Sequence, residues 1–157
     1  MVSTPMERAL EFLRNHKDVA LATCEECSSA IEGNGQSLSL PKLRIFQIMK
    51  QEGNLLYFAT SERKAVWHEL RKNQNVEILA YADQISVRCS GMVNFNVDDA
   101  TKRWIFEHND VLQRLYANYD QIVYFCLPIA EMDYYDLKPT PPLFLHYDLM
   151  AGEMTSH

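Results

Sequence analysis

A chain of 157 residues, 47% hydrophobic and 23% charged, has room for one domain with a core but not for two ordinary ones. Its net charge of −6 argues against general nucleic-acid binding, which needs a basic face. The sequence has no apolar run of about 18 residues, the length that spans a membrane, and no basic-then-apolar leader, so a cytoplasmic protein with no membrane partner is expected.

Thr4-Pro5-Met6-Glu7 is a strong helix start: a Thr cap, Pro at the first helical position and Glu three residues after the cap. Met6, Ala9, Leu10 and Leu13 share one apolar face, and the helix should stop near Asn15 to Lys17. Val19 to Cys24 reads as a buried strand, and Gly33-Asn34-Gly35 supplies positive-φ positions for a turn. A long strand follows over Gln36 to Met49, with Pro41 arguing for an edge position or a bulge. Cys24 and Cys27 form a lone Cys-x-x-Cys without the second ligand pair of a structural zinc site, so no metal is expected.

The most informative stretch is Leu55 to Leu70. Leu55 to Thr60 has the length and flanks of a buried strand, and Val66 and Leu70 mark one stripe of a helix. Thr60, Ser61, Arg63 and Lys64 lie at the junction. A helix start offers outward N–H groups and a dipole that favours an anion, and hydroxyls and a lysine add donors for a phosphate. The same hydroxyls also suit an ordinary helix cap.

Val76 to Tyr81 is a fourth strand, joined through Ala82-Asp83-Gln84 to a fifth over Ile85 to Val97. Ile85, Val87, Cys89, Gly91, Val93, Phe95 and Val97 alternate onto one face, with a bend expected at Gly91. Asp98 or Asp99 caps a helix whose inner face would include Trp104, His108, Leu112 and Leu115. A sixth strand over Ile122 to Leu137 closes the fold, and Pro139 to Pro142 ends regular structure. The expected organisation is one domain over 1–147 and a flexible tail over 148–157.

This order of elements resembles the pyridoxamine 5′-phosphate oxidase-like split-barrel flavin-binding proteins. The resemblance runs across about residues 6–138 through four ordered segments: Pro41-Lys-Leu-Arg44-Ile-Phe46, Leu56-Tyr-Phe-Ala-Thr60-Ser61-x-x-Lys64, Leu70-Arg-Lys-Asn73-x-x-Val76-Glu77 and Val87-Arg88-x-Ser90-Gly91. It implies a mainly β fold, a six-stranded antiparallel split barrel with helices. It also implies FMN bound at a homodimer interface. Thr60, Ser61 and Lys64 would hold the phosphate with help from Arg63. Arg44, with the backbone of Ile45 and Phe46, would lie against the isoalloxazine ring together with Phe58 and Ala59.

One departure narrows the activity. The family's true oxidases carry an Arg-Leu-His-like segment that grips the substrate phosphate, whereas this chain reads Phe144-Leu-His-Tyr-Asp148 with no arginine after Arg114. The resemblance is therefore to the nitroimidazole reductase-like and general flavin-binding branch rather than to vitamin B6 oxidation. The implied function is an FMN-dependent oxidoreductase acting on a small molecule with NAD(P)H as electron donor. The alternative is a non-catalytic flavin-binding module, a carrier or sensor. No catalytic acid or base can be assigned from the sequence.

Overall fold

The computed structural model describes residues 4–27, 38–150 and 153–156. Helix α1 (Pro5–Asn15) has the full capping box: Glu7 N–H donates to the Thr4 hydroxyl, and Thr4 N–H to the Glu7 carboxylate. Its Ala9, Leu10 and Leu13 are buried. The strands that follow are β1 (Asp18–Cys27), β2 (Leu38–Gln47), β3 (Lys50–Glu52) and β4 (Leu55–Thr60). Helix α2 (Ala65–Lys72) leads to the hairpin β5 (Asn75–Ala82) and β6 (Ile85–Met92). Asp83 and Gln84 in that hairpin have φ of 49° and 64°, the positive values that a tight two-residue connection with the strands' own twist requires. Helices α3 (Asp99–Glu107) and α4 (Asp110–Leu115) precede β7 (Val123–Pro128), β8 (Glu131–Asp136), β9 (Leu143–Asp148) and β10 (Glu153–Ser156).

All strand pairs are antiparallel. Seven strands form one sheet in the order β10-β9-β8-β6-β5-β1-β2, and β3-β4-β7 form a second. The mainly β, antiparallel split barrel expected from the sequence is the fold observed. Between the sheets Phe58 stacks on Phe125 at 5.3 Å, and Phe46 meets both edge-on at 6.0 and 5.7 Å. Offset and edge-to-face packing of this kind adds to the large apolar area that each ring buries.

The strand inventory is finer than expected. The stretch 122–137 is two strands, because Pro128 ends β7 and the chain crosses to the other sheet: Ile129 N–H donates to Asn54 O and Ala130 N–H to Ser90 O. The fifth strand stops at Met92 instead of Val97. Its bend falls where expected, since β6 leaves the seven-stranded ladder at Gly91–Met92 and Asn94 then bridges to Cys126 of β7. A Cβ at Gly91 would lie 2.6 Å from Pro128 O and 2.9 Å from a Leu127 methyl, so the bend demands glycine. Pro41 lies on an edge strand, as its missing N–H requires.

Regular structure does not end at Pro142: β9 pairs with β8, and the segment 148–157 contains β10, paired with β9. The helix expected after Asp98 is two helices, because Asn109 caps a new start by accepting from Leu112 N–H. The inward residues are Thr101, Ile105 and Leu112, while Trp104 and Leu115 are exposed. The Gly33-Asn34-Gly35 turn lies outside the described residues.

Candidate functional site

A groove of about 420 Å³ opens where β2 ends the seven-stranded sheet. Among the described residues the outer edge of β2 has no strand partner, so backbone N–H and C=O groups face the opening. Opposite lie the end of β4, with Ala59 and Thr60, and the start of α2, with Lys64, Ala65 and Val66. Helix α4 supplies a third, apolar wall of Val111, Leu112 and Leu115, and its C-cap Tyr116 adjoins them.

The junction between β4 and α2 gathers hydroxyls, cations and a helix start within a few residues. Lys64 is the N-cap of α2 in extended conformation, and among the described residues no side chain caps the helix. Of its first-turn N–H groups, that of Trp67 donates to Lys64 O at 3.1 Å, and a helix start without a side-chain cap favours a negative charge. Neither Thr60 nor Ser61 caps α2. Ser61 instead accepts from Arg63 N–H at 3.1 Å, and its carbonyl accepts from Lys64 N–H at 3.1 Å, which folds the chain into the turn that precedes the helix. Thr60 ends β4 and is 3% exposed, and its hydroxyl has no hydrogen-bond partner among the described residues. A buried hydroxyl without a partner costs about 1–3 kcal/mol, and this one lies in the groove wall.

Of the residues singled out in the sequence, Arg44, Ile45, Phe46, Ala59, Thr60 and Lys64 come together in this groove. Ser61 and Arg63 line an adjoining hollow of about 620 Å³, which shares Lys64, Leu115 and Tyr116 with it. Phe58 is fully buried on the core side of β4, beneath the groove floor.

Arg44 is not a solvated strand charge. Its guanidinium donates to Glu69 Oε1 at 2.7 Å and to the Thr23 hydroxyl at 2.9 Å. Burial pushes the Glu69 carboxyl up, but hydrogen bonds from Thr23 and Arg44 and the Arg44 charge outweigh this and hold it below the ordinary value. The sequence reading missed Glu69 and Thr23. One signal was present: Glu69 lies between Val66 and Leu70 on the inward stripe of α2, and a carboxylate there requires a partner. The α4 wall was missed too, since nothing local ties Val111 or Tyr116 to a strand so much earlier in the chain.

Among the described residues lining the groove, Arg44, Lys64 and Tyr116 are the titratable side chains. The described cysteines lie elsewhere. Cys89 is in the core, where burial pushes its thiol up to about 12, and Cys126 donates from Sγ to Asn94 at 3.0 Å.

No family model and no curated protein sequence matches the chain. Solved structures do. A pyridoxamine 5′-phosphate oxidase-related, FMN-binding protein of Nostoc punctiforme superposes with a TM-score of 0.70 at 16% identity, over 99% of this chain and 96% of that one. A NimC/NimA family protein of Clostridium acetobutylicum gives 0.60 at 22% identity, over 98% and 94%. A heme-binding protein of Mycobacterium smegmatis gives 0.64 at 14%, over 100% of this chain and 59% of that one. At these identities the likeness is one of architecture. The chain has the split-barrel fold of proteins related to pyridoxamine 5′-phosphate oxidase.

Proposed function

We propose that this protein binds FMN in the groove between the free edge of β2 and the start of α2. The phosphate sits at Thr60, Ser61 and Lys64 with Arg63 beside it. The isoalloxazine ring lies along Arg44, Ile45 and Phe46 and over Ala59, with Phe58 backing the floor. The observation that carries this reading is the buried, unpartnered Thr60 hydroxyl beside Lys64 at an uncapped helix start. A hydroxyl donor, a lysine and a helix N-terminus together match a phosphate monoester. The unpaired edge of β2 offers alternating donors and acceptors that match a flavin's pyrimidine edge.

The protein acts as a cytoplasmic, FMN-dependent oxidoreductase on a small molecule, with NAD(P)H as donor. Bound flavin would supply the redox chemistry, and the chain's residues would bind, orient and shield it. A groove whose titratable lining is Arg44, Lys64 and Tyr116 suits a reaction carried by the cofactor. The same lining also suits a flavin carrier or sensor, which is the second reading.

A second copy of the chain completes the site. Leu43, Ile45 and Tyr81 are 72%, 71% and 66% exposed on the outer sheet face beside the groove, more apolar area than a lone subunit ordinarily leaves open. The absorbance spectrum of the purified protein tests the flavin, and anaerobic mixing of the flavin-loaded protein with NADH or NADPH tests turnover. Bleaching of the flavin bands by either donor is expected of the oxidoreductase. Flavin that binds but stays oxidised would leave the carrier or sensor reading.

A further inference from the structure

Thr23, Arg44 and Glu69 come from β1, β2 and α2, three elements that meet behind the groove. Arg44 donates to Glu69 at 2.7 Å and to Thr23 at 2.9 Å, and Thr23 donates to the same Glu69 oxygen. Two of these elements are the groove's opposite walls: β2 brings Arg44 to Gln47 to it, and α2 brings Ala65 and Val66. The Glu69 side chain is 6% exposed, on a helix face whose neighbours Val66 and Leu70 are core residues. An apolar side chain would fill that place without desolvating a charge. Replacing a buried ion pair by apolar residues is often neutral or stabilising, so stability alone is a poor account of this one.

We propose that Glu69 is a positioning residue of the cofactor site: through Arg44 it fixes the separation of the groove's two walls and aims the guanidinium beside the flavin ring. The inference rests on the flavin reading given above. Held from behind by Glu69 and Thr23, Arg44 is placed before the flavin arrives, so binding does not have to order a long, flexible side chain. The same pair fastens the helix whose start receives the phosphate, so ring and phosphate ends are set at one spacing.

The test separates fastening from positioning. Wild type, Glu69→Asp and the double variant Arg44→Met/Glu69→Leu are compared by urea unfolding and by titration with FMN and with riboflavin. The double variant should recover wild-type stability, because apolar side chains fill the space. It should still bind both flavins roughly tenfold or more weakly, the loss that goes with one charge-assisted contact. Glu69→Asp keeps the charge but shortens the reach, and should fold while losing affinity for both flavins. Wild-type affinity in the double variant would show that the pair only fastens α2, and would overturn the proposal. If the double variant does not fold, full affinity in Glu69→Asp overturns it equally. A wild type that binds neither flavin would overturn the flavin reading itself and this inference with it.

Discussion

His146 Nδ1 donates to Asp133 Oδ1 at 2.7 Å across the β8–β9 pair, on the outer face of the seven-stranded sheet. Arg88 from β6 donates to the other oxygen of the same carboxylate at 2.8 Å. His146 is thus engaged with an aspartate on the sheet face.

That pair makes stability depend on pH in two directions. The hydrogen bond to Asp133 raises His146 above its ordinary value, and the charges of Asp133, Glu131 and Asp148 add to it. Burial pushes Asp133 up, but hydrogen bonds and charges from Arg88 and His146 outweigh this and lower it. The raised His146 contributes fully below about pH 6.5 and loses its contribution as pH rises through the raised value. The lowered Asp133 contributes above about pH 3.9 and loses its contribution as pH falls through the lowered value. Urea unfolding should therefore show His146→Gln less stable than wild type near roughly pH 6, with the gap narrowing toward roughly pH 9. A gap that stays constant would mean that His146 does not titrate in the folded protein as the geometry demands.

Arg44→Ala should weaken the fold as well as the site. Removing the guanidinium leaves the Glu69 carboxylate buried without its cation, at a cost of about 3 kcal/mol, the lower part of the usual range because a quarter of the Arg44 side chain meets water. Glu69 is held below its ordinary value in the wild type, so the pair's contribution is present above about pH 4.3 and lost as pH falls through the lowered value. The deficit of the variant should be largest near neutral pH and shrink in acid. Equal urea midpoints at neutral pH would show that the ion pair is not formed in solution.

Gly91→Ala should cost about 1–3 kcal/mol. The added methyl meets a backbone carbonyl, Pro128 O at 2.6 Å, which cannot swing aside as a side-chain end could. A lowered urea midpoint with an unchanged slope is expected. An unchanged midpoint would mean that β6 and β7 separate more easily at the seam than their contact implies.

The architecture was legible because its signals are local. Thr4-Pro5-Met6-Glu7 specifies α1 within four residues, and the alternation from Ile85 to Gly91 shows which face is buried. The break at Pro128 was hidden because the apolar run Val123 to Leu127 and the inward Met132 and Tyr134 are nearly contiguous, and only the crossover to another sheet separates them. The cluster of hydroxyls and cations between β4 and α2 was legible because Thr60 to Lys64 are contiguous. The partners of Arg44 were not, because they lie 21 and 25 residues away and meet it only after β1, β2 and α2 have packed. Local pattern carries elements and caps, whereas ion pairs between elements are a product of tertiary structure.

The most direct test of the account is a paired titration of wild type and Lys64→Ala with FMN and with riboflavin, which differ only by the phosphate assigned to Lys64. Loss of a charge-assisted contact contributes about 1.5–3 kcal/mol, so the FMN dissociation constant should rise roughly 10- to 150-fold while that for riboflavin stays unchanged. Equal losses for the two flavins, or a wild type that does not prefer FMN over riboflavin, would contradict the placement of the phosphate at the start of α2.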